Sequence, residues 1–213
     1  MKFDEDYFTH YSSTRTKEAL NLYFNRLMKE TIFEKIRNKK LLDIGCAYGY
    51  FLKIAGGFGF ETYGIDISQH AVEQAKKKVN AKFFCRDVQD DLPFADGYFE
   101  IITMFDVIEH LEKPYDALRE IRRVLKSKGL FVITTPNVNS LLRRNMGKKW
   151  IGFGDETHII LYSIHGLKFL LRKAGFRVLK AETFFTPLPQ VISKLLRPFN
   201  LGGKIWITST RKD

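Results

Sequence analysis

Three acidic side chains stand where apolar runs give way to turns, in a pattern that could hold a small polar ligand. Asp43 lies in Leu41-Leu42-Asp43-Ile44-Gly45-Cys46-Ala47-Tyr48-Gly49-Tyr50-Phe51, Asp66 closes Tyr63-Gly64-Ile65-Asp66, and Asp87 follows Lys82–Cys85 in Arg86-Asp87-Val88. The first stretch is the most specific. Gly45 and Gly49 bracket the small Ala47, and Phe51, Leu52, Ile54 and Ala55 then recur at helical spacing, so it reads as strand, tight turn and helix. Glycines let the backbone approach a ligand where any side chain would collide, and the start of the helix offers unpaired N–H groups. Asp66 follows about 20 residues on, the separation at which a carboxylate ending the next strand can take both hydroxyls of a ribose. The two signals together predict a nucleotide-like ligand at the carboxyl end of the first strand.

Spacing decides which nucleotide. A dinucleotide fingerprint, G-x-G-x-x-G, counted from Gly45 needs small residues at 47 and 50, and Tyr50 would put a ring where the pyrophosphate or close strand–helix packing belongs. With Asp43 the stretch reads D-x-G-x-A-x-G, which resembles the first motif, (D/E)-x-G-x-G-x-G, of the class I S-adenosylmethionine-dependent methyltransferases, with Ala47 the one departure. Leu92-Pro93-Phe94-Ala95-Asp96-Gly97-Tyr98-Phe99-Glu100 resembles that family's lead-in to its fourth strand. The run His158-x3-Tyr162-Ser163, helix, Ala174-Gly175-Phe176 is similar to members acting on quinones, sugars and other small hydroxylated metabolites. The resemblance runs from about Lys40 to the end and is strongest before residue 136.

It implies a Rossmann-like α/β fold: a seven-stranded sheet in the order 3-2-1-4-5-7-6, the last strand antiparallel, with helices on both faces. The cofactor would be S-adenosyl-L-methionine, leaving as S-adenosyl-L-homocysteine. Asp43, Gly45, Cys46, Ala47 and Gly49 would meet its methionine end, Asp66 and Ile67 its ribose side, and Asp87 and Val88 its adenine. Tyr11 and Arg15 are candidates for its amino-acid end, and Asp106 for a further contact.

The elements that must position these residues are readable in order. Leu20, Phe24, Leu27, Met28, Ile32 and Ile36 predict a long amphipathic helix over 16–38, and residues 1–39 form an expected lid or edge cover. The methyltransferase domain is expected over 40–213. Strands are expected at 61–65, 82–85, 101–105 and 130–135. Ser68 caps a helix to about Val79, and Pro114 opens one with Ala117, Leu118, Ile121, Val124 and Leu125 inward and Arg119, Arg122, Arg123 and Lys126 outward, broken by Gly129. Residues 137–155 mix Arg143, Arg144, Lys148 and Lys149 with Leu141, Leu142, Met146, Trp150 and Phe153, an insertion expected over the active site. Ser163 caps a helix. A sixth strand near 176–182, a helix over 189–197 and a seventh strand at 204–209 complete the chain. Strand–helix alternation of this length implies one parallel-rich domain.

Methyl transfer to an oxygen needs placement first and a proton acceptor second, and His titrates in the right range. His110 follows the fourth strand and His158 follows the insertion, so both are expected at the acceptor pocket, with Asp106 to orient either. Cys46 and Cys85 support neither a disulfide framework nor a zinc site, and no metal is expected. The net charge of +11 admits an anionic acceptor, although runs such as Lys76-Lys77-Lys78 also suit a solvated helix face. The fourth strand ends in Met104-Phe105-Asp106-Val107, without the (N/D)-P-P-(Y/F) run used on exocyclic amines, so nucleic acid is disfavoured as substrate.

Lacking an 18-residue apolar run and a basic-then-apolar start, the chain is expected in the cytoplasm, with peripheral membrane contact through Val191, Ile192, Leu195 and Leu196 left open. The acceptor is expected to be a small molecule and the protein a monomer or homodimer. The competing classes are a methyltransferase acting on RNA or another anionic substrate, a nicotinamide-dependent dehydrogenase, and a non-catalytic nucleotide-binding module.

Overall fold

The computed structural model describes residues 3, 5–8, 14–30, 39–184 and 200–212. A short helix α1 (Glu5–Phe8) and a longer α2 (Thr14–Glu30) precede β1 (Lys40–Ile44). The chain then alternates α3 (Tyr50–Gly57), β2 (Glu61–Asp66), α4 (Gln69–Lys78), β3 (Lys82–Cys85), β4 (Phe99–Phe105), α5 (Pro114–Val124) and β5 (Leu125–Pro136). After β5 come α6 (Leu141–Met146), α7 (Ile151–Gly154), α8 (Ile164–Lys173), β6 (Phe176–Phe184) and β7 (Lys204–Arg211). The seven strands form one sheet in the order β3-β2-β1-β4-β5-β7-β6, as expected. The first five pair in parallel, and β7 runs antiparallel to both β5 and β6.

Alternation along the strands feeds two apolar layers. Ile44, Ile102, Met104, Phe131 and Ile133 pack with Ala117, Leu118 and Ile121 of α5 and with Leu167 and Leu171 of α8. Leu41, Ile101, Val132 and Trp206 point the other way, onto Phe24 and Leu27 of α2, Phe51 and Leu52 of α3, and Val72 and Ala75 of α4. A central strand covered on both sides is mostly apolar over its buried stretch, which is why residues 101–105 of β4 and 130–133 of β5 read as nearly continuous hydrophobic runs. The helix starts follow the sequence: Ser68 Oγ accepts from the Ala71 N–H at 3.3 Å, Ser163 Oγ from the Gly166 N–H at 3.1 Å, and Pro114 opens α5.

Several boundaries differ from expectation. Helix α5 stops at Val124, because Leu125 already pairs with Phe99 and Leu130 with Ile101, so residues 126–129 arch out of a shifted register. Lys126 points outward either way, toward Glu100, so helical spacing could not tell the two apart. Helix α2 spans Thr14–Glu30, and Ile32 and Ile36 lie outside the described residues, as does the helix expected over 189–197. The last two strands run on to Phe184 and Arg211.

Candidate active site

The turn after β1 is shaped by positive backbone angles at Gly45 (φ 71°), Ala47 (φ 46°) and Gly49 (φ 72°). At Gly45 the fit is tight: a Cβ there would lie 2.2 Å from Val107 Cγ2, so the valine would have to shift. The turn is tied to the end of β2. The Gly45 and Cys46 N–H groups both donate to the Ile65 carbonyl, at 2.8 and 3.0 Å, and the Asp66 carboxylate accepts from Ala47 N–H at 2.8 Å and Ser68 N–H at 2.9 Å. Burial pushes the Asp66 carboxyl up, and these N–H bonds pull against it. Below the turn, Asp43 Oδ1 accepts from the Thr103 hydroxyl at 2.6 Å. Burial pushes its carboxyl up to about 7, the Thr103 bond opposes this, and the Asp66 charge adds to it.

The strand ends open on a cleft with about 720 Å³ of empty space, part of it open to solvent. Gly45, Ala47, Asp66, Ile67, Asp87, Val88, Asp106 and His110 line it, so the structure gathers predicted residues from four strand ends. Phe3, Tyr7 and Phe8 line it as well. Asp43, Cys46 and Gly49 lie behind the lining. The Cys46 thiol packs against Gly64, and burial pushes its pKa well up, as suits an inert filler. Asp87 is a turn residue too: its carboxylate accepts from the Gln89 N–H at 2.9 Å and from the Gln89 amide at 3.1 and 3.2 Å. Tyr11 lies outside the described residues, as does the side chain of Arg15.

Asp106 sits at the end of β4 with φ 56°, a conformation costly for a residue with a side chain. Its carboxylate accepts from Thr134 Oγ1 at 3.0 Å and pairs with Lys204 of β7. Burial works against the Lys204 charge, but the nearby Asp106 carboxylate and Tyr23 outweigh it and raise the lysine's pKa. Both Asp106 carboxylate oxygens are thus engaged, one by Thr134 and the other by Lys204. Lys204 is a residue that sequence reasoning missed, since nothing local marks a lysine 98 positions away as its partner.

His110 closes a 3-10 turn (Ile108–His110), and its ring lies 4.7 Å, centroid to centroid, from that of His158. His110 lines the cleft, and His158 stands behind it instead of bordering it as expected. His110 Nδ1 is 2.9 Å from Thr157 Oγ1, which in turn donates to Asp155 Oδ1 at 2.5 Å, and His158 Nδ1 is 3.0 Å from the Gly152 carbonyl. Burial and the neighbouring His158 lower the His110 pKa, so it is neutral near pH 7. Glu109, 1% exposed, completes the group, and burial with the nearby Asp106 charge raises its pKa. Glu109, Asp155 and Thr157 also escaped the sequence reading, although an acid next to a histidine at a strand end is a signal that could have been followed.

Comparison with known proteins gives this geometry a family. A family model described as "Methyltransferase domain" matches residues 11–181. An uncharacterized protein of Methanocaldococcus jannaschii is 27% identical over 198 residues, covering 92% of this chain and 84% of that protein. A ubiquinone biosynthesis O-methyltransferase of Thiobacillus denitrificans is 26% identical over 110 residues, 49% of this chain and 47% of its own length, so the chain spans about half of that relative. Among solved structures, a SAM-dependent methyltransferase from Archaeoglobus fulgidus superposes with a TM-score of 0.74 at 21% identity, covering 98% of this chain and all of that one. The match across 11–181, on a sheet of this order with a glycine turn facing an acid-lined cleft, places the chain in the methyltransferase-domain family, as a class I enzyme that uses S-adenosylmethionine.

Proposed function

We propose that this methyltransferase transfers the methyl group to a hydroxyl of a small molecule, and that the cleft between the glycine turn and His110 is where the two reactants meet. The observation that carries the reading is His110 at the cleft wall, backed by His158 and oriented by Thr157. In this reading the turn backbone at 45–49, above Asp43, receives the methionine end. Asp66 has lone pairs beyond the two N–H bonds to offer the ribose, with Ile67 alongside, and Asp87 and Val88 receive the adenine. Residues 1–39 act as a lid, since Phe3, Tyr7 and Phe8 already line the cleft. The insertion over 137–155 serves the acceptor side, since Gly152 and Asp155 hold the histidine pair.

The chemistry is an in-line displacement. The acceptor oxygen forms a bond to the methyl carbon as the carbon–sulfur bond breaks, S-adenosylhomocysteine leaves uncharged, and the hydroxyl proton is lost at the histidine wall. Alignment of the reacting atoms can supply roughly 7–11 kcal/mol of the barrier lowering. The sulfonium loses its charge in the reaction, so ring faces and carbonyls suit its surroundings better than a buried cation. The likeness to a quinone O-methyltransferase supports oxygen as the acceptor atom.

The test is to incubate the protein with S-adenosylmethionine carrying a labelled methyl group and a pool of metabolites. A small hydroxylated compound that gains one labelled methyl bears the proposal out. Label found only in RNA or protein overturns it.

A further inference from the structure

We infer that Glu109, His110 and His158 form a binding site for a divalent transition-metal ion in the wall of the cleft. The three come from two segments, the turn after β4 and the loop before α8, and one donor atom from each lies within 4.8 Å of the others. Two imidazoles and a carboxylate are the donor set of open catalytic zinc sites and of other first-row metal centres. Donors on a tetrahedral zinc ion stand about 3.4 Å apart, so binding would draw the side chains together.

Each donor is already prepared. The Gly152 carbonyl can only accept, so His158 Nδ1 carries the proton and Nε2 keeps its lone pair. Thr157 spends its one hydroxyl proton on Asp155, so it accepts from His110 Nδ1, and His110 Nε2 is bare as well. An oxygen on the far nitrogen of each ring is how metal sites fix the tautomer and the orientation of a ligating histidine. Glu109 supplies an independent observation. One of its oxygens accepts from Thr135 Oγ1 at 3.0 Å, and the other, Oε1, is buried with no hydrogen-bond partner. A buried carboxylate oxygen left so is costly unless the carboxyl keeps its proton, and a cation beside the two bare nitrogens takes that proton's place. A cation satisfies all three, and Asp155 Oδ2, 3.8 Å from His158 Nε2, adds negative charge beside it.

Three protein donors leave a position open on such an ion, and because His110 also lines the cleft the acceptor's oxygen could fill it and become easier to deprotonate; with both Nε2 atoms on the ion, that proton would pass to water in the open cleft and not to a histidine. That role rests on the O-methylation reading above; the binding of the metal does not. The site departs from the metal-free expectation, which was drawn from the cysteines.

The full chain, stripped with a chelator and free of cofactor and acceptor, is titrated with Co²⁺ by visible absorption and with Zn²⁺ by calorimetry. One saturable ion per chain is expected. Glu109→Gln and His158→Ala should each weaken it at least about tenfold, while His165→Ala, exposed on α8, leaves it unchanged. Circular dichroism and S-adenosylmethionine binding establish that the variants fold. No saturable uptake of either ion, or equal uptake by Glu109→Gln and His158→Ala, overturns the site. Nitrogen-15 spectra showing His158 doubly protonated would then assign the cluster to an ion pair with Asp155. Loss of turnover in His158→Ala without metal uptake would leave the acceptor reading standing and the metal reading refuted.

Discussion

Asp66 does two jobs with one carboxylate: it ties the glycine turn to β2 and faces the cleft. Asp66→Asn keeps the shape but sets an NH₂ against either the Ala47 or the Ser68 N–H. It should weaken S-adenosylmethionine binding at least about tenfold, or about 1.4 kcal/mol, measured by calorimetry. Asp43 has a pH signature. Its carboxyl is raised from 3.8 to about 7 by burial, so the folded state holds the proton more tightly than the unfolded chain. Its contribution to stability is complete below about pH 4 and fades as pH rises through 7, where a buried charge must form. The melting temperature of Asp43→Asn relative to the parent should therefore become more favourable between pH 5 and pH 8. The change should be on the order of 2 kcal/mol, or about 4–8 °C; a difference independent of pH would contradict the assignment. At the acceptor end, His158→Ala should lower turnover at least about tenfold with cofactor affinity unchanged, in steady-state kinetics set beside a binding isotherm.

At the scale of elements, the turn between β1 and α3 works because Val107, beyond the end of β4, closes directly over Gly45. Gly45→Ala meets two obstacles, φ 71° and the Val107 methyl, and should cost about 2 kcal/mol or more. Adding Val107→Ala removes the collision but not the backbone strain, so the double variant should recover only part of the loss in denaturant unfolding. Full recovery would place the whole penalty in packing. The antiparallel β7 matters for the same reason of position: it carries Lys204 to Asp106 and Trp206 into a ring cluster with Tyr23 and Phe105. One strand thereby joins α2 to the floor of the cleft.

For the molecule as a whole, ligand binding and stability are linked, because a cofactor that binds only the folded state raises its melting temperature. S-adenosylmethionine at about 100 times its dissociation constant adds about 2.7 kcal/mol, an upward shift of roughly 5–11 °C in differential scanning calorimetry. NAD should give no shift, and a shift with NAD alone would overturn the choice of cofactor. The surplus of basic residues is partly spent inside the fold. Arg123 holds Glu120, Asp96 and the Leu92 and Phe94 carbonyls, and Arg122 bonds the Gly175 and Lys212 carbonyls. Among the described residues no helix is long and apolar enough to cross a membrane.

The sequence by itself determined the strand–helix alternation, the glycine turn and the acids at the ends of the first three strands, because those depend on local spacing, while the strand order came with the family resemblance that those motifs carry. Asp66, Asp87, Asp106 and His110 were legible for that reason: each ends or follows a strand that points at the cleft. Only the tertiary structure decided which groups share a site across long separations. The β5–β7 register brings Lys204 to Asp106, the loop before α8 brings His158 behind His110, and neither pairing leaves a periodic trace in the chain. Whether a carboxylate such as Glu109 meets a donor or is buried without one likewise depends on everything packed around it, and spacing along the chain does not encode that.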